Sequence, residues 1–428
     1  LGCAGSLRLV IFKGSMGNYI GQYLRLCLIC GLGFSTTAYS QSIGFDIVGE
    51  RSSIEIPFES FNNLIVVPVV LNHRIPLKFV LDTGVRTSIL TDRTFSDLLN
   101  ISYNREIPLT GADMERQVIA HVANGISLKL PGVVGSGQAL LVLEEDYLQL
   151  RNYLGADVHG ILGYELFSRF IVKINYQTNI ITLYEPYSFK PKRSYKSLAI
   201  SIEDTKPYIE TSLTMLDGTD IKAKLMLDTG ASHSLLLDYN SSEAMNLPEK
   251  KLRSNLGRGL GGSIDGYIGR VASVRVGKYE FEGPIASFPD AGNFDQIFAR
   301  TGRLGTMGGG IFSRFNVIFD YFNGYFYFSK STNFNQKFDY NMSGLEIRAS
   351  GLKLNEFMVE QIRKESPAEE IGFQIGDKLL RINGNYCDRM KLGEINNFFR
   401  RKHNKKMTVI VDRDGEIIKK KFRLRRMI

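Results

Sequence analysis

Two pairs of apolar-rich runs, each pair split by a short polar turn, end on the same tripeptide. Leu64–Leu71 and Ile75–Leu81 flank Asn72-His73-Arg74, and residues 208–215 and 221–227 flank Asp217-Gly218. Runs of this length bounded by Asn, Asp and Gly predict β-hairpins. The first hairpin leads into Asp82-Thr83-Gly84 and the second into Asp228-Thr229-Gly230, 146 positions later. Helix-like stretches follow in both copies, near residues 91–100 and 238–245. A second matching block comes next, Gly160-Ile161-Leu162-Gly163-Tyr164-Glu165-Leu166-Phe167-Ser168-Arg169-Phe170 against Gly305-Thr306-Met307-Gly308-Gly309-Gly310-Ile311-Phe312-Ser313-Arg314-Phe315, offset by 145. Because the offset hardly changes from one motif to the next, the chain contains a duplicated unit. One copy is placed over residues 51–184 and the other over 198–330, joined by the polar, proline-bearing segment 185–197.

Beyond an Asn-rich hinge at residues 330–343 the pattern changes. Segments 357–362, 407–411 and 417–423 read as strands, while Leu392, Ile395, Phe398 and Phe399 recur at helical spacing. An α+β domain is expected over residues 344–428. A length of 428 residues suits roughly three domains. A hydrophobic content of 43% with 42 glycines suits turn-rich, mainly β structure rather than disorder. Residues 1–40 stand apart: their apolar run at 24–34 is too short to span a bilayer and precedes Ala38-Tyr39-Ser40, a small-x-small arrangement. They read as a cleaved leader, with Met16 as the expected start, and no stable membrane insertion is expected afterwards. Three of the four cysteines fall in this leader, leaving Cys387 alone and no intrachain disulfide.

One chemistry needs two carboxylates delivered to a single point by two similar loops, namely hydrolysis by an acidic pair that shares a proton. Two neighbouring carboxylates cannot both ionise cheaply, so one keeps its proton while the other acts as base toward a water. Asp82 and Asp228 are the candidate catalytic pair, and neither a metal nor an organic cofactor is required. Val85 and Ala231, which follow the two glycines, carry no hydroxyl to stabilise the anion. A mildly acidic to neutral optimum is therefore expected. The competing reading is two structural turns whose aspartates only accept backbone hydrogen bonds. Other chemistries lack their motifs: the five histidines show no metal-ligand spacing, and neither H-E-x-x-H nor G-x-S-x-G occurs. Gly257, Gly259 and Gly262 match the dinucleotide pattern literally, but no strand-then-helix context surrounds them. Much of the net charge of +9 lies near the C-terminus, at Lys419, Lys420, Lys421, Arg423, Arg425 and Arg426. Alternating basic residues there suit a solvated outer strand, and no nucleic-acid partner is expected.

The spacing Asp-Thr-Gly-x-x-x-Ser-apolar (Asp82 to Ile89, Asp228 to Leu235), followed by Ile161-Leu162-Gly163 and Thr306-Met307-Gly308, resembles the aspartic proteases. The likeness is nearest to bacterial retropepsin-like proteins that carry both lobes in one chain, and it covers about residues 51–330. It implies a bilobed acid-protease fold of two pseudo-twofold-related β lobes. The implied activity is that of an aspartic-type endopeptidase acting on extended segments of exported proteins, in the periplasm of a Gram-negative bacterium or outside it. Thr83 and Thr229 would tie the loops together beside Gly84 and Gly230, with Ile161, Leu162, Gly163, Met307 and Gly308 packed beneath. A lid is expected at residues 257–269, with Gly259, Gly261, Gly262 and Tyr267 as flap candidates and residues 109–123 as the first-lobe equivalent. Val85, Arg86 and Thr306 depart from the family pattern. The alternative they leave open is a catalytically inactive peptide-binding or sensor protein led by its last domain.

That last domain carries Ser366-Pro367-Ala368, Ile371-Gly372-Phe373, Gly376-Asp377 and Ile382-Asn383-Gly384, an order that resembles bacterial PDZ domains over about residues 344–428. The resemblance implies a groove that adds a peptide strand to a sheet edge and captures a chain-terminal carboxylate. The groove is expected between the strand near residues 357–359 and the helix near residues 392–399. Phe357, Val359, Leu392, Ile395 and Phe399 would line it, and Ser350-Gly351-Leu352 would form the carboxylate loop. The same apolar residues equally suit an ordinary core. Peptide or protein substrates and C-terminal peptides are the expected partners.

Overall fold

The computed structural model describes residues 43–428 apart from 111–116, 241 and 293, and gives residues 110, 295 and 296 without their side chains. The predicted leader and the tip of the first-lobe lid lie outside the described residues. Both hairpins form where the pattern places them: Leu64–Leu71 pairs with Ile75–Leu81, and Lys206–Thr214 pairs with Asp220–Leu227. Each copy then builds the same arrangement of short strands. In the first, Ile75–Leu81 lies parallel to Gly160–Leu162, which runs antiparallel to Ile89–Leu90, itself parallel to Val133–Leu143. In the second, Asp220–Leu227 lies parallel to Gly305–Met307, which runs antiparallel to Leu235–Leu237, itself parallel to Ile285–Pro289. Strands this short hold parallel partners because both faces are buried. Leu81, Leu90, Leu162, Leu227, Leu235 and Met307 are all fully inside.

The lobes are joined by a six-stranded antiparallel sheet that the sequence pattern did not announce. Ser53–Pro57, Ile171–Asn175 and Ile180–Tyr184 come from the first lobe, and Lys196–Ala199, Phe315–Asp320 and Tyr325–Lys330 from the second. Ile171–Asn175 pairs with Phe315–Asp320 at its centre. Phe319, Phe326 and Phe328 share one face, on which Phe167 and Phe312 pack edge-on. Phe167 and Phe312 belong to the two matching blocks, so both blocks pack on this aromatic layer.

Three expectations change. The first helix-like stretch shortens to Thr94–Leu98, and the described residues of 238–245 form turns instead of a helix. There the side chains of Asp238 and Ser242 accept from the N–H groups of Asn240 and Ala244, local bonds that compete with a helix. The linker and the hinge are both pinned. Arg169 holds Glu185 and Asp46, and Lys196–Ala199, at the linker's end, is already a strand on Tyr325–Lys330. Arg314, the counterpart of Arg169 in the second block, donates to the carbonyls of Asn333, Gln336 and Lys337. Its guanidinium lies 3.6 Å from the Phe338 ring centre. In each copy the arginine of Ser-Arg-Phe fixes the segment that leaves its own lobe.

The C-terminal domain orders its main strands as Leu345–Ser350, Glu356–Ile362, Lys378–Ile382, Lys406–Arg413 and Glu416–Arg423, with helix Leu392–Phe399 over a core that includes Phe357, Ile395 and Val409. Its Gly-Asp motif has a clear use: buried Asp377 accepts two bonds from Arg413, at 2.7 and 2.9 Å. Among the described residues no helix is long and apolar enough to cross a membrane.

Arg314→Met should lower the unfolding free energy by about 2–3 kcal/mol, because three carbonyls lose a charged donor. It should also speed tryptic cleavage after Lys337. Urea denaturation and limited proteolysis would read both, and unchanged cleavage would argue against the pinned hinge.

Candidate active site

Asp82 and Asp228 stand at the ends of buried strands, and the neighbouring block sets their height. Asp82 N–H donates to Leu162 C=O (3.0 Å) and Asp228 N–H to Met307 C=O (2.9 Å). Each carboxylate turns back over its own loop and accepts an N–H two residues on, from Gly84 at 2.6 Å and from Gly230 at 2.8 Å. The threonines cross between the loops. Thr83 Oγ1 accepts from Thr229 N–H (3.0 Å) and donates to Leu227 C=O (2.7 Å). Thr229 Oγ1 accepts from Thr83 N–H (3.1 Å) and donates to Leu81 C=O (2.9 Å).

The glycines are required by close approach. A Cβ on Gly84 would sit 3.0 Å from Asp82 Oδ1 and 3.2 Å from Asp228 Oδ2, and one on Gly230 would overlap the Asp82 carboxyl. Each carboxyl therefore lies over the other loop's glycine. Gly163 and Gly308 pass beneath the loops, where a Cβ would come within 2.6 Å of the Val85 or Ala231 carbonyl oxygen. The next residues donate to those carbonyls, Tyr164 N–H to Val85 (2.9 Å) and Gly309 N–H to Ala231 (2.7 Å). Ile161 and Leu162 are buried on the same strand.

The two carboxyls are close neighbours, both lying against Gly84 and each influencing the other's titration. Burial raises the pKa of Asp82 well above the ordinary carboxylate range, and the charge on Asp228 raises it further. Burial raises Asp228 as well, while its bond to Asp82 and the charges of Arg303 and Lys206 pull it back. The pair holds on to a proton at pH values where free aspartates would lose both, the upward push being stronger on Asp82.

The pair forms the floor of a cavity of about 590 Å³. Val85, Leu148, Leu150 and Leu154 wall it from the first lobe, and Met226, Leu236, Leu256 and Ile264 from the second. Above it lies the hairpin of Lys251–Gly259 and Gly262–Arg270. Arg258 Nε donates to Tyr147 C=O at 2.6 Å, and Leu260 joins Val85, Leu109 and Tyr147 in one apolar cluster, so the tip rests on the first lobe. The lid is where the glycine pattern put it, but the residues facing the cavity differ. Gly259, Gly261 and Gly262 form the turn, and Tyr267 packs toward the second-lobe core beside Arg253 and Lys251. Leu256, Gly257, Arg258 and Ile264 face the cavity instead, after a bulge between Asn255 and Gly257 shifts the strand register. The literal dinucleotide glycines thus sit in an antiparallel hairpin. In the first lobe the strands Arg105–Thr110 and Gln117–Leu130 make the equivalent hairpin.

Sequence reasoning missed several neighbours of the pair. Lys206, Arg300 and Arg303 line the cavity. So does His233, whose pKa burial lowers to about 4. The Tyr321 hydroxyl is buried close enough for the charges of Asp82 and Asp228 to raise its pKa further, after burial itself. Lone basic or aromatic residues scattered through strands give no motif, so composition alone could not have found them.

The peptide groove of the last domain also moves. Glu356–Ile362 has Leu345–Ser350 on one side and Lys378–Ile382 on the other, so it has no open edge for strand addition. Phe357 and Val359 are core residues with Leu392, Ile395 and Phe399. The edge strand is Leu345–Ser350, with helix Leu392–Phe399 alongside it. Gly351 and Leu352 follow it in a turn, Leu352 fully out in solvent. This edge is covered by the protease lobes. Asn152 Nδ2 donates to Ala349 C=O (2.9 Å), Arg151 Nη2 to Leu352 C=O (2.9 Å), and Gly155 is wedged so that a Cβ there would lie 2.7 Å from Leu392 Cβ. Farther along, Ser254 Oγ donates to Glu346 Oε1 (3.1 Å), and Leu252 is buried in the domain's own core.

Thr229→Ala should cost about 2–4 kcal/mol of stability, since it strands the Thr83 N–H and the Leu81 carbonyl inside the protein. Thr229→Ser should recover most of it. Equal denaturation midpoints for the alanine variant and the wild type would contradict the cross-bonded loops.

Compared with known families, residues 67–166 and 214–310 match the aspartyl protease family model, and residues 358–413 match a PDZ domain model. No curated protein matches the chain. The two protease matches each enclose one Asp-Thr-Gly loop and the start of its supporting block. The chain carries the two halves of an aspartyl protease followed by a PDZ domain.

Proposed function

We propose that the protein is an aspartic endopeptidase that cuts extended peptide segments of exported proteins, with Asp82 and Asp228 as its catalytic pair. One observation carries the reading: two buried carboxyls lie side by side on the floor of a roofed cavity, on loops too closely cross-bonded to part. A water between the carboxyls attacks the scissile carbonyl carbon. Its proton passes to Asp228 while Asp82 gives its own to the carbonyl oxygen, leaving a neutral tetrahedral diol. The C–N bond then breaks as Asp228 returns its proton to the amine nitrogen and Asp82 takes one back from a diol hydroxyl. The departures from the family pattern leave this arrangement open: Arg86 points away to pair with Asp204, Val85 joins the apolar wall, and Thr306 lines the cavity. They give no support to the inactive alternative. The leader pattern in residues 1–40 supports export.

We infer also that the PDZ groove between Leu345–Ser350 and Leu392–Phe399 takes peptide C-termini by adding a strand to the Leu345–Ser350 edge. Such a peptide must displace the segment around Asn152 and Gly155, which belongs to the wall of the catalytic cavity.

Asp82→Asn and Asp228→Asn should each reduce kcat on an extended peptide by at least about a thousandfold, and a statine-type peptide should bind the wild type. The stability effect has the opposite sign. A carboxyl whose folded pKa is raised stabilises below its unfolded pKa and loses that contribution as pH rises through the folded value. Asp82→Asn should therefore raise the melting temperature at neutral pH, with the gain vanishing below about pH 4. A variant with full activity, or one that melts below wild type at neutral pH, would contradict the shared proton.

Removing residues 344–428 should weaken cleavage of peptides with free apolar C-termini and of short amidated peptides alike. The pinned segment 330–343 leaves no free tether, and the deletion uncovers Leu252 and the Leu150–Leu154 wall. Loss confined to the first substrate type would instead indicate recruitment alone.

A further inference from the structure

We propose that the cavity selects substrates that present a carboxylate beside the scissile bond, bound by Arg303 with Lys206 and Arg300. The inference rests on the proteolytic reading and adds the chemistry of the substrate. Arg303 is only 6% exposed. Its Nη1 lies 2.7 Å from Met226 Sδ, and its guanidinium is 5.0 Å from the Phe298 ring centre. Its Nε has no hydrogen-bond partner. Among the described residues no carboxylate comes within ion-pair distance of it; the Tyr208 hydroxyl and the more distant charge of Asp228 are what offset its burial. A guanidinium buried without a counter-ion is costly, and this one lines the space that a substrate would fill.

The surroundings reinforce the point. Lys206 is half-buried and feels the charges of Arg303, Arg86 and Arg300. The acid facing it is Asp204, 3.8 Å away, exposed, and already paired with Arg86. Arg300, on helix Asp295–Thr301, stands at the cavity rim. The lid adds Arg258, which is committed to the Tyr147 carbonyl. Against these cations the cavity floor offers only Asp82 and Asp228, which share a proton. A pocket of one sign with apolar walls concentrates its field on an incoming anion, and a planar fork of donors matches a carboxylate. Met226 lies two positions before Asp228, so its contact with Arg303 places the cation next to the reacting carboxyls. The bound carboxylate therefore belongs to a residue flanking the cleaved bond. It comes either from an Asp or Glu side chain or from the chain's own C-terminus.

The test uses the full-length protein and uncleavable statine-type peptides titrated by calorimetry. One pair carries Glu or Gln beside the statine; a second pair carries neutral side chains and ends there in a free or an amidated terminus. At least one carboxylate form should bind about tenfold or more tightly than its neutral match, and which pair shows the gain identifies the source. Arg303→Met should abolish the preference. Lys206→Gln and Arg300→Gln, at less buried positions, should each shrink it, which keeps the test decisive if the Arg303 variant folds poorly. Equal binding within both pairs, or a preference that survives all three substitutions, would overturn the proposal. Turnover of cleavable counterparts is read separately: a carboxylate preference in binding without cleavage would count against the catalytic pair and not against the basic site.

Discussion

Two carboxyl groups buried in contact repel each other unless a proton lies between them, and the structure around Asp82 and Asp228 is organised to keep them in contact anyway. The crossed threonines are the nearest restraint. Separating the loops would leave the Thr83 and Thr229 N–H groups and the Leu81 and Leu227 carbonyls without partners in the interior, at about 1–3 kcal/mol for each group. The next restraint is the six-stranded sheet, which makes the lobes share a single surface under the loops. Relief by movement is thus closed off, and relief by holding one proton is what remains. The raised pKa values follow from that confinement.

The two copies reach the same loop geometry by different means. In the first, Glu165 accepts from the N–H (2.9 Å) and Oγ (3.1 Å) of Ser88. In the second, the matching position is Gly310, and Ser234 packs so closely against it that a side chain there would collide. The charges around the pair diverge as well. Arg303 and Lys206 both favour the ionised form of Asp228, while Asp82 feels Lys206 among its lesser influences. An asymmetric basic wall on a symmetric fold makes the two carboxyls unequal, which in the proposed reaction favours Asp82 as the acid and Asp228 as the base.

Local signals were legible in the sequence and long-range ones were not. The hairpins and the Asp-Thr-Gly loops could be read because each is set by residues a few positions apart. Gly163 and Gly308 were legible for another reason: their constraint is distant, the tight pass under Val85 and Ala231, but the duplication leaves a glycine in the same place twice. The sheet between the lobes was invisible because Ile171–Asn175 and Phe315–Asp320 look like any apolar strands until they meet. The lid was found from its glycines, but its cavity-facing residues were not, because the bulge after Asn255 changes the alternation. The PDZ groove was set one strand too far along for a related reason: an apolar strand that looks fit to bind a peptide is, in the folded domain, the interior neighbour of the true edge. The cations of the cavity had no motif to betray them.

The placement of the PDZ domain ties its groove to the protease cleft. Asn152 and Gly155, which cover the groove, flank Tyr153 and Leu154, which line the cavity. Tyr153 also bonds, at 3.3 Å, to Glu360 of the PDZ domain, and its hydroxyl feels the charge of Arg258 of the lid. Leu252, at the root of the same lid hairpin, is buried in the PDZ core. One domain therefore grips both a wall and the roof of the cavity. If a groove ligand shifts that grip, it changes the free energy of whatever occupies the cleft, and by linkage a cleft ligand changes groove affinity by the same factor. Two peptide sites that share their supporting residues cannot be energetically independent, so on the proposed reading, capture of a chain end at the groove and cleavage of a chain interior in the cleft form one coupled equilibrium.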